Sequence, residues 1–287
     1  MSARKRIVFV ADDLGVSAGT NAGIVRVAER GLVREASLCV TGAAVREGVR
    51  MAHEVGIGVG LHVSFTLGQA LTGPIVSLTD AGGRFLSLQR VLAACLLGRP
   101  DPARVAREVD AQFEAARALG VSLTHVNGHH HVHVFPVVRE AVMAAARRHE
   151  VAWTRIPEEQ PAARTGAGLM RLLLSRLARQ TSPLARDAGL RWLPFAGLGL
   201  QDTPDIAARL AATAARLPAG DHEWMVHPRV LDADAQRLDP RGASRQVTAE
   251  AELEALAAWA ASDAGVRPAR YADLDALKHA GVPTPTG

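Results

Sequence analysis

Cysteine, lysine and aromatic residues are scarce in this sequence, and each scarcity excludes something. Cys39 and Cys95 are the only cysteines among 287 residues, and both have apolar neighbours. They read as buried thiols, and without a Cys-x-x-Cys pair no thiolate zinc site is expected. Low cysteine usage suits a reducing compartment, so a cytoplasmic protein is expected. Lys5 and Lys278 are the only lysines; the remaining basic charge is arginine, spread along helical stretches beside Glu and Asp. One tyrosine and six phenylalanines offer no stacking platform to interleave with a basic patch. Despite the net charge of +4, nucleic acid is therefore not an expected partner. No apolar run approaches the roughly 20 residues of a membrane span. Ile7–Ala11 is too short for a signal-peptide core. No Gly-x-Gly-x-x-Gly follows the first apolar run, and no Gly-x-x-x-x-Gly-Lys occurs. The dinucleotide fingerprint and the common phosphate loop are thereby removed.

What is present is an alternation of short apolar runs and amphipathic stretches. Strands are expected at Arg6–Ala11, Ala36–Thr41, Ile57–Phe65, Leu123–Asn127, Val151–Ile156, Trp192–Phe195 and Glu223–Val226. Helices are expected at Asn21–Arg30, Ala44–Glu54, Pro102–Leu119, Val137–His149, Gly166–Arg179, Ile206–Leu217 and Ala249–Ala261. Between them, residues 66–100 form a Gly- and Pro-punctuated insertion of the kind that serves as a lid or binding loop. Residues 1–287 read as one α/β domain, either an open doubly wound sheet or a (β/α) barrel. The barrel is favoured because polar residues end several strands: Asp12 and Asp13, His62, Asn127, Arg155 and His227. Barrel chemistry sits at the carboxyl ends of strands.

Four features carry chemistry. Asp12 and Asp13 are adjacent carboxylates ending a buried strand, where a cation, a proton or loop-capping donors must offset them. His62 lies inside the apolar run Gly60-Leu-His-Val, and alone it reads equally as a satisfied core histidine. The run from His125 to His133 holds five of the chain's eleven histidines. While the chain stays extended, His125, Asn127, His129, His131 and His133 share one face; a histidine-rich surface turn is the plainer alternative. His227 ends a late strand, with Pro228 stopping the ladder. Together, one or two carboxylates and two histidines at strand ends give three protein ligands with open positions, the arrangement of a catalytic metal. That mixed oxygen and nitrogen set admits one divalent ion, with magnesium or zinc foremost and manganese or cobalt also compatible.

At these residues the chain resembles the YdjC-like carbohydrate deacetylases, which include chitooligosaccharide deacetylases. The resemblance runs through Val-Ala-Asp12-Asp13-Leu-Gly-Val-Ser, Glu-Ala-Ser37-Leu, Val-Gly60-Leu-His62-Val-Ser, Thr-His125-Val-Asn127-Gly-His129-His-His131-Val-His133, Arg155-Ile-Pro and Val-His227-Pro. The middle block is most similar to the branch associated with hopanoid biosynthesis, whose members carry Asn where many relatives have Asp; Asn127 fits that branch. The resemblance implies a distorted, TIM-like (β/α) barrel and metal-dependent removal of an N-acetyl group from an amino sugar, free or lipid-linked. It implies Asp13, His62 and His129 as metal ligands and Asp12 as general base. His227 would protonate the departing amine, and His125, Asn127, His131, His133 and Arg155 would orient ligands or substrate. Dimers among relatives imply a homodimer. Another metal-dependent barrel hydrolase, such as a phosphoesterase, and a non-catalytic metal or sugar binder are the competing readings.

One further stretch stands apart. Arg171, Arg176, Arg179, Arg186 and Arg191 accompany one acid, Asp187, with leucines between. Such a helix either packs its leucines on a sheet or lies at an anionic membrane surface.

Overall fold

The apolar run at the start of the chain becomes the central strand. In a computed structural model, which describes residues 5–159, 168–200, 205–230, 232–233, 251–259 and 266–274, β1 (Lys5–Leu14) pairs in parallel with β2 (Glu35–Leu38), β7 (Gly220–Val226) and β8 (Val266–Pro268). Its side chains obey the two-residue period of a strand. Ile7, Phe9 and Ala11 join the large core beneath the helices, whereas Val8 and Val10 face a second cluster with Trp153, Leu193 and Tyr271. The sheet continues through β3 (Gly58–Val63), β4 (Leu123–Gly128) and β5 (Trp153–Thr154) on one side. On the other side β6 (Phe195–Ala196) flanks β7.

The sheet curls into a distorted (β/α) barrel. Among the described residues, isolated parallel bridges link the two outer edges, Trp153 of β5 with Arg191 and Glu159 with Phe195 of β6. Helices α1 (Ala18–Ala28), α2 (Val45–Glu54), α4 (Pro102–Ala118), α5 (Val138–Arg148), α6 (Leu169–Asp187) and α7 (Ile206–Arg216) cover the outside. Local chemistry sets their ends: Ser17 caps α1 by accepting from the Thr20 N–H, and Asp101 caps α4 with Pro102 behind it. The expected helix at Gly166–Arg179 begins later, at Leu169, and its first residues lie outside the described ones. Of the expected Ala249–Ala261 helix, residues 251–259 are helical and the ends also lie outside the described residues.

The insertion holds an unexpected helix, α3 (Leu88–Leu96), whose Val91, Leu92 and Cys95 pack inward at helical spacing. Residues before α3 are anchored rather than loose. The fully buried Glu108 of α4 accepts from the N–H groups of Leu71 and Thr72 and from the Thr72 hydroxyl, at 2.8–3.0 Å.

Candidate active site

Adjacent strand residues normally point to opposite faces. Asp12 continues the parity of Val8 and Val10 and so faces the barrel interior; Asp13 should face the helices. A bulge changes this. Ala11 pairs with Ala36 and Leu14 with Leu38, so β1 carries one residue more than β2 here. Asp13 takes up the extra residue at φ 72°, and bulges re-aim side chains in this way. Both carboxylates then line one cleft of about 390 Å³.

Register delivers the partners. His62 lies opposite Asn127 across β3 and β4, and Ala11 opposite Val226 places Asp12 level with His227. His62 Nδ1 is 2.6 Å from Asn127 Oδ1, while Asn127 Nδ2 donates to Asp12 Oδ1 at 3.1 Å and to Ser37 Oγ at 2.8 Å. An aspartate at position 127 lacks the two donors used here. With its Nδ1–H given to Asn127, His62 turns Nε2 toward Asp13 Oδ1 at 3.4 Å. Those two atoms are both acceptors, and only a cation or a proton between them reconciles the contact. His129 Nδ1 stands 2.9 Å from the same Asp13 oxygen. Donor atoms of Asp13, His62 and His129, all buried, lie within 4.8 Å of one another. This mixed carboxylate and imidazole set fits a divalent cation. Burial works to lower the His62 pKa, but the charges of Asp12 and Asp13 outweigh it and raise the value above its ordinary level.

Asp12 is held differently. Arg155, fully buried, donates from Nη1 to Asp12 Oδ2 at 2.5 Å and from Nη2 to Oδ1 at 3.0 Å. Its Nε donates to Glu223 Oε1 at 2.5 Å. Burial pushes the Asp12 carboxyl up, yet the guanidinium prevails and holds it well below the usual carboxylate range. For Asp13, too, burial acts upward and His129 with His62 pull the carboxyl down further. His227 Nε2 is 3.9 Å from Asp12 Oδ2. Burial depresses His227 to about 4, so the ring is neutral at neutral pH.

The histidine run does not stay extended. It leaves the strand at Gly128 and turns through His130 and His131 at φ 52° and 58°, a left-handed pair in a 3-10 segment. The single shared face is therefore broken. His129 and His131 line the cleft, and His131 keeps a buried Nδ1 without a partner among the described residues. His133 turns beneath, with Nε2 3.0 Å from the Arg155 carbonyl oxygen. His125 sits lower in the barrel; a Cβ on Gly60 would lie 2.5 Å from its ring, so only glycine admits it there. His125 Nε2 meets Ser37 Oγ at 2.9 Å and its Nδ1 meets Thr124 Oγ1 at 2.9 Å. His125 and His133 thus brace the site without lining it. Sequence reading did not single out Glu223 or Arg229. The first is the buried acid of β7, and the second follows His227 by two positions and lines the cleft.

Below His125, Glu35 accepts from Thr124 Oγ1 at 2.8 Å and from the Tyr271 N–H at 3.2 Å. Burial pushes its carboxyl from 4.5 up to about 7. The folded state therefore holds this proton more tightly than the unfolded chain. Its contribution is fully present below pH 4.5 and is lost as pH rises through about 7. Glu35→Gln should gain on wild type across that window, by on the order of 3 kcal/mol. Thermal unfolding of both proteins from pH 4 to 8 checks this, and parallel curves would refute it.

The family model described as YdjC-like protein matches residues 6–265. This chain belongs to the YdjC-like family. A carbohydrate deacetylase of Brevibacillus brevis is 35% identical over 147 residues, covering 51% of this chain and 57% of that protein. The chain thus spans little more than half of that relative's length. A chitooligosaccharide deacetylase of an Enterobacter species is 33% identical over 232 residues, covering 79% of the YdjC-like chain and 83% of the relative. A crystal structure from Enterococcus faecalis, of a protein named for cellobiose-phosphate cleavage, superposes with TM-score 0.74 at 19% identity. It covers 95% of this chain and 99% of its own, and shows the shared YdjC-like fold.

Proposed function

We propose that this YdjC-like protein removes the acetyl group from an N-acetylated amino sugar by metal-assisted hydrolysis. The observation that carries the reading is the pairing of two differently held carboxylates in one cleft. Asp13 joins His62 and His129 in a buried three-donor set, while Asp12 is clamped, ionised, by Arg155 beside it. The names of the relatives supply the sugar and the acetyl group.

Asp13 Oδ1, His62 Nε2 and His129 Nδ1 would hold the divalent ion. Bound there, such an ion polarises an acetamide carbonyl and lowers the pKa of an attacking water. Asp12 takes the proton from that water. Its clamp sacrifices basicity for fixed geometry and permanent charge. His227 enters neutral, receives the proton across the 3.9 Å to Asp12, and passes it to the departing nitrogen. The carbon–nitrogen bond breaks, leaving acetate and a free amine. Asn127 fixes the His62 tautomer, and His131 offers its unpartnered Nδ1 to the substrate. Release of acetate from N-acetylated sugars, assayed beside phosphatase activity on the same metal-loaded protein, tests the reading. Phosphate release without acetate release would discard it for the phosphoesterase alternative.

The cleft also favours a lipid-linked sugar. Opposite the carboxylates its wall is Leu88 and Leu92 of α3, Phe135, and Leu173, Leu174 and Leu177 of α6. In the first turn of α6, Leu169 is 85% and Leu172 60% exposed, and Met170, which lines the cleft, is 55% exposed. Four of the five arginines from Arg171 to Arg191 are already engaged: Arg171 pairs with Glu159, Arg179 with Glu158, Arg186 stacks on Trp192 and Arg191 on Trp153. No helix among the described residues is long and apolar enough to cross a membrane, so contact with a bilayer would be peripheral. Burying even two lipid methylenes, at about 0.8 kcal/mol each, should lower KM about tenfold for an N-acetylated glycolipid against the same free sugar. Side-by-side kinetics measures this, together with co-sedimentation on anionic liposomes at low and high salt. Equal KM values and no sedimentation would leave a deacetylase of free sugars.

A further inference from the structure

Of the arginines that line the cleft, Arg229 is in a situation opposite to that of Arg155 behind it. Arg155 spends its nitrogens on Asp12 and Glu223. Arg229 is nearly as buried, at 8% exposure, yet its Nε has no hydrogen-bond partner among the described residues. Its Nη2 comes no nearer than 3.8 Å to Asp13 Oδ2. Asp13 already has His129 and His62 at its other oxygen.

Arg229 is also unable to retreat. The chain from His227 onward is fastened to α1. A Cβ on Gly23 would lie 2.4 Å from Arg229 Cα, so the two backbones are in direct contact. The Val230 N–H donates to the Gly19 carbonyl at 2.9 Å, and the His227 N–H donates to the buried Glu252 at 2.8 Å. The backbone thus presents a guanidinium to the cleft at a set height, beside Asp13. An incompletely paired buried guanidinium is costly unless the working site brings it an anion.

Resting on the deacetylase reading, we infer that Arg229 is a carboxylate seat that receives the acyl group of the substrate as its charge develops and holds it as acetate. A guanidinium fork matches the two oxygens of a carboxylate. The acetamide of the substrate is neutral; negative charge first develops on the acyl oxygen as water adds, and it remains, shared over two oxygens, on the acetate released when the carbon–nitrogen bond breaks. Arg229 therefore meets the charged acyl group, in the addition step and as product, better than the neutral substrate, and the gain over the ground state during addition is what assists the reaction. It also makes acetate an inhibitor.

Sodium acetate is the probe, titrated calorimetrically into metal-loaded wild type, Arg229→Gln and Arg229→Lys, with sodium chloride as the ionic-strength control. Metal content and melting temperature are measured on each protein. Arg229→Gln should bind acetate about tenfold or more weakly, the scale of a hydrogen bond to a charged group. Arg229→Lys, which keeps the charge and loses the fork, should fall between. Acetate should inhibit wild-type turnover more strongly than that of either variant. Unchanged acetate affinity in Arg229→Gln at equal metal content overturns the assignment and leaves Arg229 a structural partner of Asp13. If Arg229→Gln does not fold, Arg229→Lys decides alone: wild-type affinity overturns the seat, and a several-fold loss supports it. Acetate binding lost in the variants, in a protein that releases no acetate from acetylated sugars, keeps the carboxylate seat and discards the deacetylase reading instead.

Discussion

His62→Ala and His129→Ala should each strip the bound divalent ion and abolish turnover. Each removes one of three converging donors, and the remaining pair leaves Asp13 with a single imidazole. Chelation of wild type should do the same, with activity restored on adding metal back. Asn127→Ala should be milder, because it disturbs only the tautomer and orientation of His62; losses of about 10–100-fold in metal affinity are usual for such supporting groups. Elemental analysis after dialysis reads all three variants. Full metal occupancy in both histidine variants would remove these residues from the ligand set.

Asp12→Asn should keep its metal and lose about 10²–10⁴-fold in turnover, the usual scale of losing a general base. The amide retains an acceptor for Arg155 but not the charge, so Arg155 is left with Glu223 as its one ionic partner. The melting temperature should therefore fall as well, and turnover must be compared below the new transition. Asp13→Asn is the control with the opposite signature: metal is lost first. Should Asp12→Asn lose metal while Asp13→Asn retains it, the two roles are exchanged.

The sequence showed the strands and helices through their alternation, with Ser17, Asp101 and Asp205 marking three helix starts, and the polar residues ending the apolar runs favoured the barrel. It showed Asp12, Asp13, His62 and His129 as residue types in the right order. It did not show how adjacent aspartates reach one cleft, because a bulge has no periodic signature; it breaks the period that made β1 visible. The histidine run misled for a related reason. Extended pairing was assumed through His133, but Gly128 ends the strand and two left-handed histidines turn the chain. Helix α3 was hidden by the Gly and Pro punctuation around it, although Leu88, Val91, Leu92 and Cys95 carry the helical spacing. Arg229 was one arginine among many. What distinguishes it is a missing partner, and a partner across more than two hundred residues of sequence is visible only in three dimensions.

The incomplete meeting of the outer strands, held by isolated bridges at Trp153–Arg191 and Glu159–Phe195, divides the barrel mechanically. Asp12, Asp13, His62 and Asn127 all project from the well-paired arc of β1, β3 and β4. Of the leucine wall, Leu173, Leu174 and Leu177 belong to α6, which connects β5 to β6 in the chain. A strain that parts the seam between those strands breaks few backbone hydrogen bonds and moves that part of the wall, while the ion pairs of Arg155 with Asp12 and Glu223 hold the ionic cage at its resting dimensions. The protein resembles a spring clip, with its stiff limb carrying the chemistry and its compliant limb gripping the cargo. Cargo of differing girth can then be admitted without retuning the distances on which proton transfer depends.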